Sequence, residues 1–180
     1  KNNNFINGSE VKKFERNFSS YCGSKYAISC SNGTDAITLS LKALNLKDNS
    51  EVIMPAMTYA STFYATVNAG LKPVLVDINQ NNPLINLNEI KKKITNKTKA
   101  ILPVHFAGRA CNMNEIIKIS KKYNLSVIED CAHSVEGTFE GKSLGTIGDY
   151  GCFSFYSTKN IITVEGGMLL AKDEQNLNQI

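Results

Sequence analysis

A chain of 180 residues with 42% hydrophobic content has room for one ordinary domain around a sizeable core. Its 20 Lys+Arg against 16 Asp+Glu leave a formal net charge of +4, without the dense basic blocks or interleaved aromatics of a nucleic-acid surface, so no more than a mild attraction for phosphorylated ligands follows. Five cysteines, an odd number with no CxxC pair, argue against a disulfide framework and a zinc ribbon and fit a reduced, cytoplasmic protein, while polar Lys1-Asn2-Asn3-Asn4 and the lack of any long apolar stretch argue against a leader or a membrane span.

Val11, Phe14, Phe18 and Tyr21 recur at helical spacing after Ser9, a suitable N-cap, and Gly23 stands where that helix should stop. Tyr26 to Cys30 then reads as a strand, Asn32-Gly33-Thr34 as a turn, and Ala36 to Leu44 as a helix. The pattern repeats: strand from Glu51 to Met54, helix from Tyr59 to Ala69, strand from Pro73 to Val76, helix from Leu87 to Ile94, strand from Ala100 to Val104. Between the second and third of these units the Asn-rich stretch from Asn79 to Asn88 reads as a solvated loop. Asn112 with Glu115 three residues later starts a helix running to about Tyr123, and Val127-Ile128 is the buried strand that delivers Asp130. Beyond it, glycines 137, 141, 145, 148 and 151 punctuate a run of hairpins, and two further strands, Gly151 to Tyr156 and Gly167 to Ala171, flank a loop that carries Lys159. Alternating strands and helices predict an α/β fold, with Gly33, Met57, His105 and Asp130 converging on one crevice at the carboxyl ends of the strands.

Three features can carry chemistry. Gly33-Thr34-Asp35 opens a helix directly after a strand, so free N–H groups and the positive end of the helix face a possible phosphate; alone, the tripeptide reads more readily as a capped turn. It lacks GxGxxG and GxxxxGK[ST], which disfavours dinucleotide and Walker-type sites. Asp130, ending an apolar strand, sits in the favoured ligand position of such a sheet, and is equally read as a turn residue. Lys159 alone would be a solvated lysine. Their joint occurrence in this order is more specific, because an amine and a strand-end carboxylate are the groups that pyridoxal phosphate chemistry needs: one bonds the cofactor aldehyde, the other keeps the pyridine nitrogen protonated.

Five ordered blocks carry a resemblance. Ser31-Asn32-Gly33-Thr34-Asp35-Ala36, Pro55 to Thr62, Gly70 to Asp77, Ile128-Glu129-Asp130-Cys131-Ala132-His133-Ser134, and Phe153 to Asn160 are similar, in order and spacing, to the DegT/DnrJ/EryC1/StrS family of nucleotide-sugar aminotransferases. The resemblance implies a three-layer, fold type I large domain with a mainly parallel mixed sheet flanked by helices. It implies pyridoxal 5'-phosphate as cofactor, with Lys159 as Schiff-base lysine and acid–base, and Asp130 on the pyridinium nitrogen. Tyr59 would stack on the ring, Thr34, the Asp35 backbone and Ser154 would hold the phosphate after the Gly33 turn, and His133 would lie near the cofactor 3-hydroxyl. Val164 replaces a glycine common before Glu-Gly-Gly, and Cys131 a common alanine. Residues 1–180 would form a single domain covering most of the large domain, with the small C-terminal domain absent.

The implied reaction moves an amino group from an amino acid, usually glutamate, to a keto-sugar on a nucleoside diphosphate, in a homodimer with sites at the subunit interface, for a surface polysaccharide or modified glycan; the blocks around Asp130 and Lys159 lean towards 4-amino sugars. The alternative is a truncated chain that holds cofactor or a partner without turnover. The related sugar dehydratases carry histidine in place of the lysine and are disfavoured by Lys159. A metal protein built on His105, Cys111, Cys131, His133 or Cys152 has no familiar zinc spacing. Only Arg16 and Arg109 offer a guanidinium for the donor carboxylate.

Overall fold

A computed structural model describes residues 8–178, so Lys1–Asn4 and the Phe5-Ile6-Asn7 segment lie outside the described residues. In chain order the elements are α1 (Ser9–Cys22), β1 (Tyr26–Cys30), α2 (Gly33–Ala43), β2 (Glu51–Pro55), α3 (Ala60–Asn68), β3 (Lys72–Val76), β4 (Ile78–Asn79), β5 (Asn82–Ile85), α4 (Leu87–Lys93) and β6 (Thr98–Ile101). After a 3-10 turn at Phe106–Gly108 come α5 (Met113–Tyr123), β7 (Ser126–Asp130), β8 (Thr138–Phe139), β9 (Lys142–Ser143), β10 (Tyr150–Ser154), β11 (Gly167–Ala171) and α6 (Glu174–Leu177).

Seven strands form one sheet in the order β1-β11-β10-β7-β6-β2-β3. The five from β10 to β3 run parallel, and β11 lies antiparallel between β10 and β1. Successive side chains on a strand point to opposite faces, and here the two sets enter different cores. Val52, Met54, Ile128 and Leu169 pack with α2 and α3, whereas Ile53, Ile101 and Val127 pack with α4 and α5. Phe153, Met168 and Leu170 join Phe18 of α1. Covered on both faces, β2, β10 and β11 are buried at every position, which is why their centres, Val52-Ile53-Met54, Gly151-Cys152-Phe153 and Met168-Leu169-Leu170, are apolar without alternation. The result is the three-layer, mainly parallel mixed sheet that the resemblance implied.

Several expectations need correction. Gly8, not Ser9, is the N-cap of α1, and no side chain caps it. The expected strand from Ala100 to Val104 is Thr98–Ile101, followed by an isolated bridge from Val104 to Asp130. The Asn-rich stretch is not a plain loop: Asn79 Nδ2 donates to Asn82 Oδ1 and to Leu84 O, closing the β4–β5 hairpin, and Asn86 caps α4. Short amides that hydrogen-bond nearby backbone build turns as readily as they solvate them. The glycine-punctuated region holds one small hairpin, β8–β9, while β10 joins the main sheet beside β7. Gly23 does end α1 in the left-handed conformation, and Asn112 does accept from Glu115 N–H. All five cysteines are free, and among the described residues no helix is long and apolar enough to cross a membrane.

Candidate active site

Because the parallel strands end along one edge, the loops that follow them enclose a common crevice of about 930 Å³. Gly33, Met57, His105 and Asp130 all line it, as the strand pattern predicted, and Tyr59, His133, Ser154 and Lys159 stand on the same walls. Lys159 is the one lysine among the lining residues.

Asp130, the last residue of β7, is 5% exposed. Its Oδ2 accepts from Thr62 Oγ1 at 2.9 Å and its Oδ1 from Ala132 N–H at 3.1 Å. Its own N–H donates to Pro103 O and its carbonyl accepts from His105 N–H, so the residue is tied to the β6 loop on both sides. A carboxylate so held can meet a ligand nitrogen without rearranging.

Lys159 follows β10 in a loop whose base is closed by Phe155 N–H to Gly166 O and Thr163 N–H to Phe155 O. Burial holds the Lys159 amine below the usual lysine range, and the charge of Asp130 across the crevice opposes that shift. Val164, in the same loop, has φ 71, a left-handed conformation that a β-branched side chain seldom adopts. That is the physical reason a glycine is the ordinary occupant there.

The phosphate-like end is built by close packing. Asn32 caps α2, its Oδ1 taking Asp35 N–H at 2.8 Å, so Asp35 does not line the crevice and its N–H is not free. Gly33 and Thr34 keep their N–H groups at the crevice wall with no protein partner among the described residues. A Cβ on Gly33 would lie 2.7 Å from Ser154 Cβ, so only glycine lets the first turn of α2 reach the Ser154 hydroxyl at the end of β10. Gly33→Ala is expected to push α2 from β10 at a cost of about 1–3 kcal/mol. Urea denaturation checks the cost, and phosphate-dependent stabilisation, lost in the variant, checks the cradle.

Tyr59, the N-cap of α3, lines the crevice with its side chain 77% exposed, leaving a free aromatic face at the mouth. His133 also lines the crevice and is exposed. Partial burial lowers its pKa, the nearby Lys159 charge lowers it further, and Asp130 pulls it back. It therefore faces the crevice as a neutral imidazole near pH 7.

The sequence reading overlooked Glu129 and Thr62. Glu129 is fully buried, and its oxygens accept from Ile147, Gly148 and Gly145 N–H and from His105 Nε2, all within 2.7–3.0 Å. Because His105 Nδ1 accepts from Cys111 N–H at 3.1 Å, the ring proton sits on Nε2. His105, Glu129 and Cys131 place ligand atoms within 4.8 Å of one another. Both imidazole nitrogens and both carboxylate oxygens are already committed to protein partners, and burial pushes the Cys131 thiol up, so this cluster does not offer a metal its lone pairs. Arg16 and Arg109 do not line the crevice.

The DegT/DnrJ/EryC1/StrS aminotransferase family model matches residues 1–180. GDP-perosamine synthase of Caulobacter vibrioides is 41% identical over 167 residues, which cover 93% of this chain and 45% of that protein. The dTDP-3-amino-3,6-dideoxy-alpha-D-galactopyranose transaminase of Aneurinibacillus thermoaerophilus is 46% identical over 151 residues, 84% of this chain and 42% of that one. Among solved structures, the aminotransferase from Psychrobacter cryohalolentis superposes with a TM-score of 0.93 at 39% identity, covering 96% of this chain and 44% of that one. The chain thus spans less than half the length of these relatives.

Proposed function

Because the chain belongs to the DegT/DnrJ/EryC1/StrS aminotransferase family, we propose that it is the cofactor-holding domain of a pyridoxal phosphate-dependent enzyme that transfers an amino group from an amino acid, glutamate foremost, to a nucleoside-diphosphate keto-sugar. The observation that carries the reading is the meeting of a partly buried amine, Lys159, and an anchored carboxylate, Asp130, in one crevice large enough for a cofactor with part of a substrate. The close approach of Gly33 to Ser154, which a Cβ would close, supports a phosphate cradle there.

Pyridoxal phosphate, when bound, supplies an aldehyde that reacts with amines and a ring that absorbs carbanion charge. The chain's residues do the rest. Gly33 and Thr34 N–H groups with Ser154 Oγ hold the phosphate, aided by the positive end of α2. Asp130 would keep a proton on the ring nitrogen, Tyr59 would cover the ring and exclude water, and His133 would donate to the ring hydroxyl oxygen. Lys159, its basicity lowered by burial, would take a proton from the bound amino acid near neutrality and hold it at its Nζ for return. Tyr59 at the crevice wall, and Tyr64, Ile162 and Val164 on α3 and the loop after β10, are all more than half exposed and are the large apolar side chains that a second copy would cover. A cytoplasmic homodimer making an amino sugar for a surface polysaccharide or glycan completes the reading.

Adding pyridoxal phosphate to the chain should produce the visible absorption of a lysine-bound aldehyde, and glutamate should then bleach it. A spectrum that pyridoxal phosphate leaves unchanged would overturn the reading; absorption that no amino acid alters would leave a binding protein. Capture requires the neutral amine. Since burial lowers the Lys159 pKa, the capture rate should rise with pH and level off at lower pH than for a surface lysine; in Asp130→Asn, which loses the opposing charge, the plateau should move lower still. Stopped-flow absorbance across a pH series reads both.

A further inference from the structure

The core face of α3 is made by Thr62, Ala65 and Thr66, two hydroxyls where valine would fill the same space. A hydroxyl buried without a partner is costly, so each should have a purpose. Thr66 Oγ1 donates to the Thr62 carbonyl one turn back, a local bond. Thr62 Oγ1 instead lies 2.9 Å from Asp130 Oδ2, 68 residues away in the chain, and 2.7 Å from Thr58 Oγ1.

The proton order in this chain of contacts is determined. An ionised carboxylate can only accept, so Thr62 donates to Asp130. Its single proton is then spent, and the Thr58–Thr62 contact can only be Thr58 donating to Thr62. Each bond polarises the next, which strengthens the bond to the carboxylate. The second oxygen, Oδ1, is held from another element by Ala132 N–H. Two donors on different oxygens fix the plane of the side chain. The cationic and titratable groups facing it are Lys159 and His133 across the crevice and the thiols of Cys131 and Cys152 behind it.

We propose that Thr58 and Thr62 form a directed two-hydroxyl relay that orients Asp130 towards a protonated ring nitrogen, with Thr62 the positioning residue that acts through the carboxylate. The proposal rests on the pyridoxal phosphate reading above.

The test uses the full chain titrated with pyridoxal phosphate. Thr62→Val, which keeps the shape and deletes the hydroxyl, should weaken cofactor affinity about tenfold or more. Thr62→Ser should restore it. Thr58→Val, at the crevice wall rather than in the core, should act in the same direction and less strongly. In an Asp130→Ala background neither valine substitution should cost further affinity, because the relay has nothing left to hold. Equal losses with and without the carboxylate, or unchanged affinity in Thr62→Val and Thr58→Val, would overturn the relay while leaving the cofactor reading intact. Should Thr62→Val not fold, Thr58→Val carries the same comparison in both backgrounds. A parent chain that develops no absorption would overturn the cofactor reading first and the relay with it.

Discussion

Lys159→Ala is expected to abolish covalent capture of pyridoxal phosphate and to slow proton removal from an amino acid bound with it by about 10²–10⁴-fold, the usual share of a positioned acid–base group. Among the described residues no other lysine lines the crevice, so none of them offers a neighbouring amine to substitute. The two losses separate experimentally. Capture is read by visible absorption and by the mass of the borohydride-reduced peptide containing residue 159, and proton removal by exchange of the substrate α-hydrogen into heavy water. The fold should not suffer. A cation whose pKa is lowered in the folded state binds its proton more weakly there than in the unfolded chain, so below that pKa the charged amine subtracts from stability. Deleting it removes that penalty, and the urea midpoint at neutral pH should stay level or rise. A variant that still reacted covalently in the crevice would transfer the nucleophile's role to another residue and dissolve the pairing with Asp130.

Much of this arrangement is written locally. Apolar and β-branched runs bounded by turn residues announce strands whether they lie inside the sheet, as β2 and β7 do, or at its edges, as β1 and β3 do, so all four were legible within a residue or two, and the strand-end rule then brought Gly33, Met57, His105 and Asp130 to one place. What could not be read depends on sheet order. Gly33 is a glycine because Ser154 lies against it, a contact that exists only once β1, β11 and β10 are neighbours. Asp35, expected to offer its N–H to a phosphate, lost it to Asn32, whose capping side chain competes for the same donor. Asn79–Asn88 was misread because composition does not reveal which amides close a turn. Thr62 carried a usable signal: a threonine on the inward stripe of a helix, where an apolar residue would cost less, points to a buried acceptor. Glu129 carried one too, as an acid inside the run Val127-Ile128-Glu129.

That acid underlies the second large effect. Glu129→Gln changes almost no volume, yet it should destabilise the chain by about 3–5 kcal/mol, the cost of breaking a buried charged network, out of about 5–15 kcal/mol for a whole domain. The reason is the count of donors on each side. Oε1 accepts from Ile147 and Gly148 N–H, Oε2 from Gly145 N–H and His105 Nε2. A glutamine must aim its NH₂ at one pair or the other, donor against donor, and turning the amide over only moves the conflict. Nor can His105 relieve it by shifting its proton to Nδ1, which already accepts from Cys111 N–H. The strained side should be that of His105, where one conflict falls on a side chain rather than on two backbone N–H groups, and displacing His105 loosens the backbone bond that fixes Asp130. Urea denaturation should therefore show a lower midpoint at unchanged slope, and the surviving folded fraction should bind pyridoxal phosphate more weakly than the parent. An unchanged midpoint would mean that the carboxylate does not hold the 145–148 turn, and that the acid beside Asp130 is kept in the strand for some other reason.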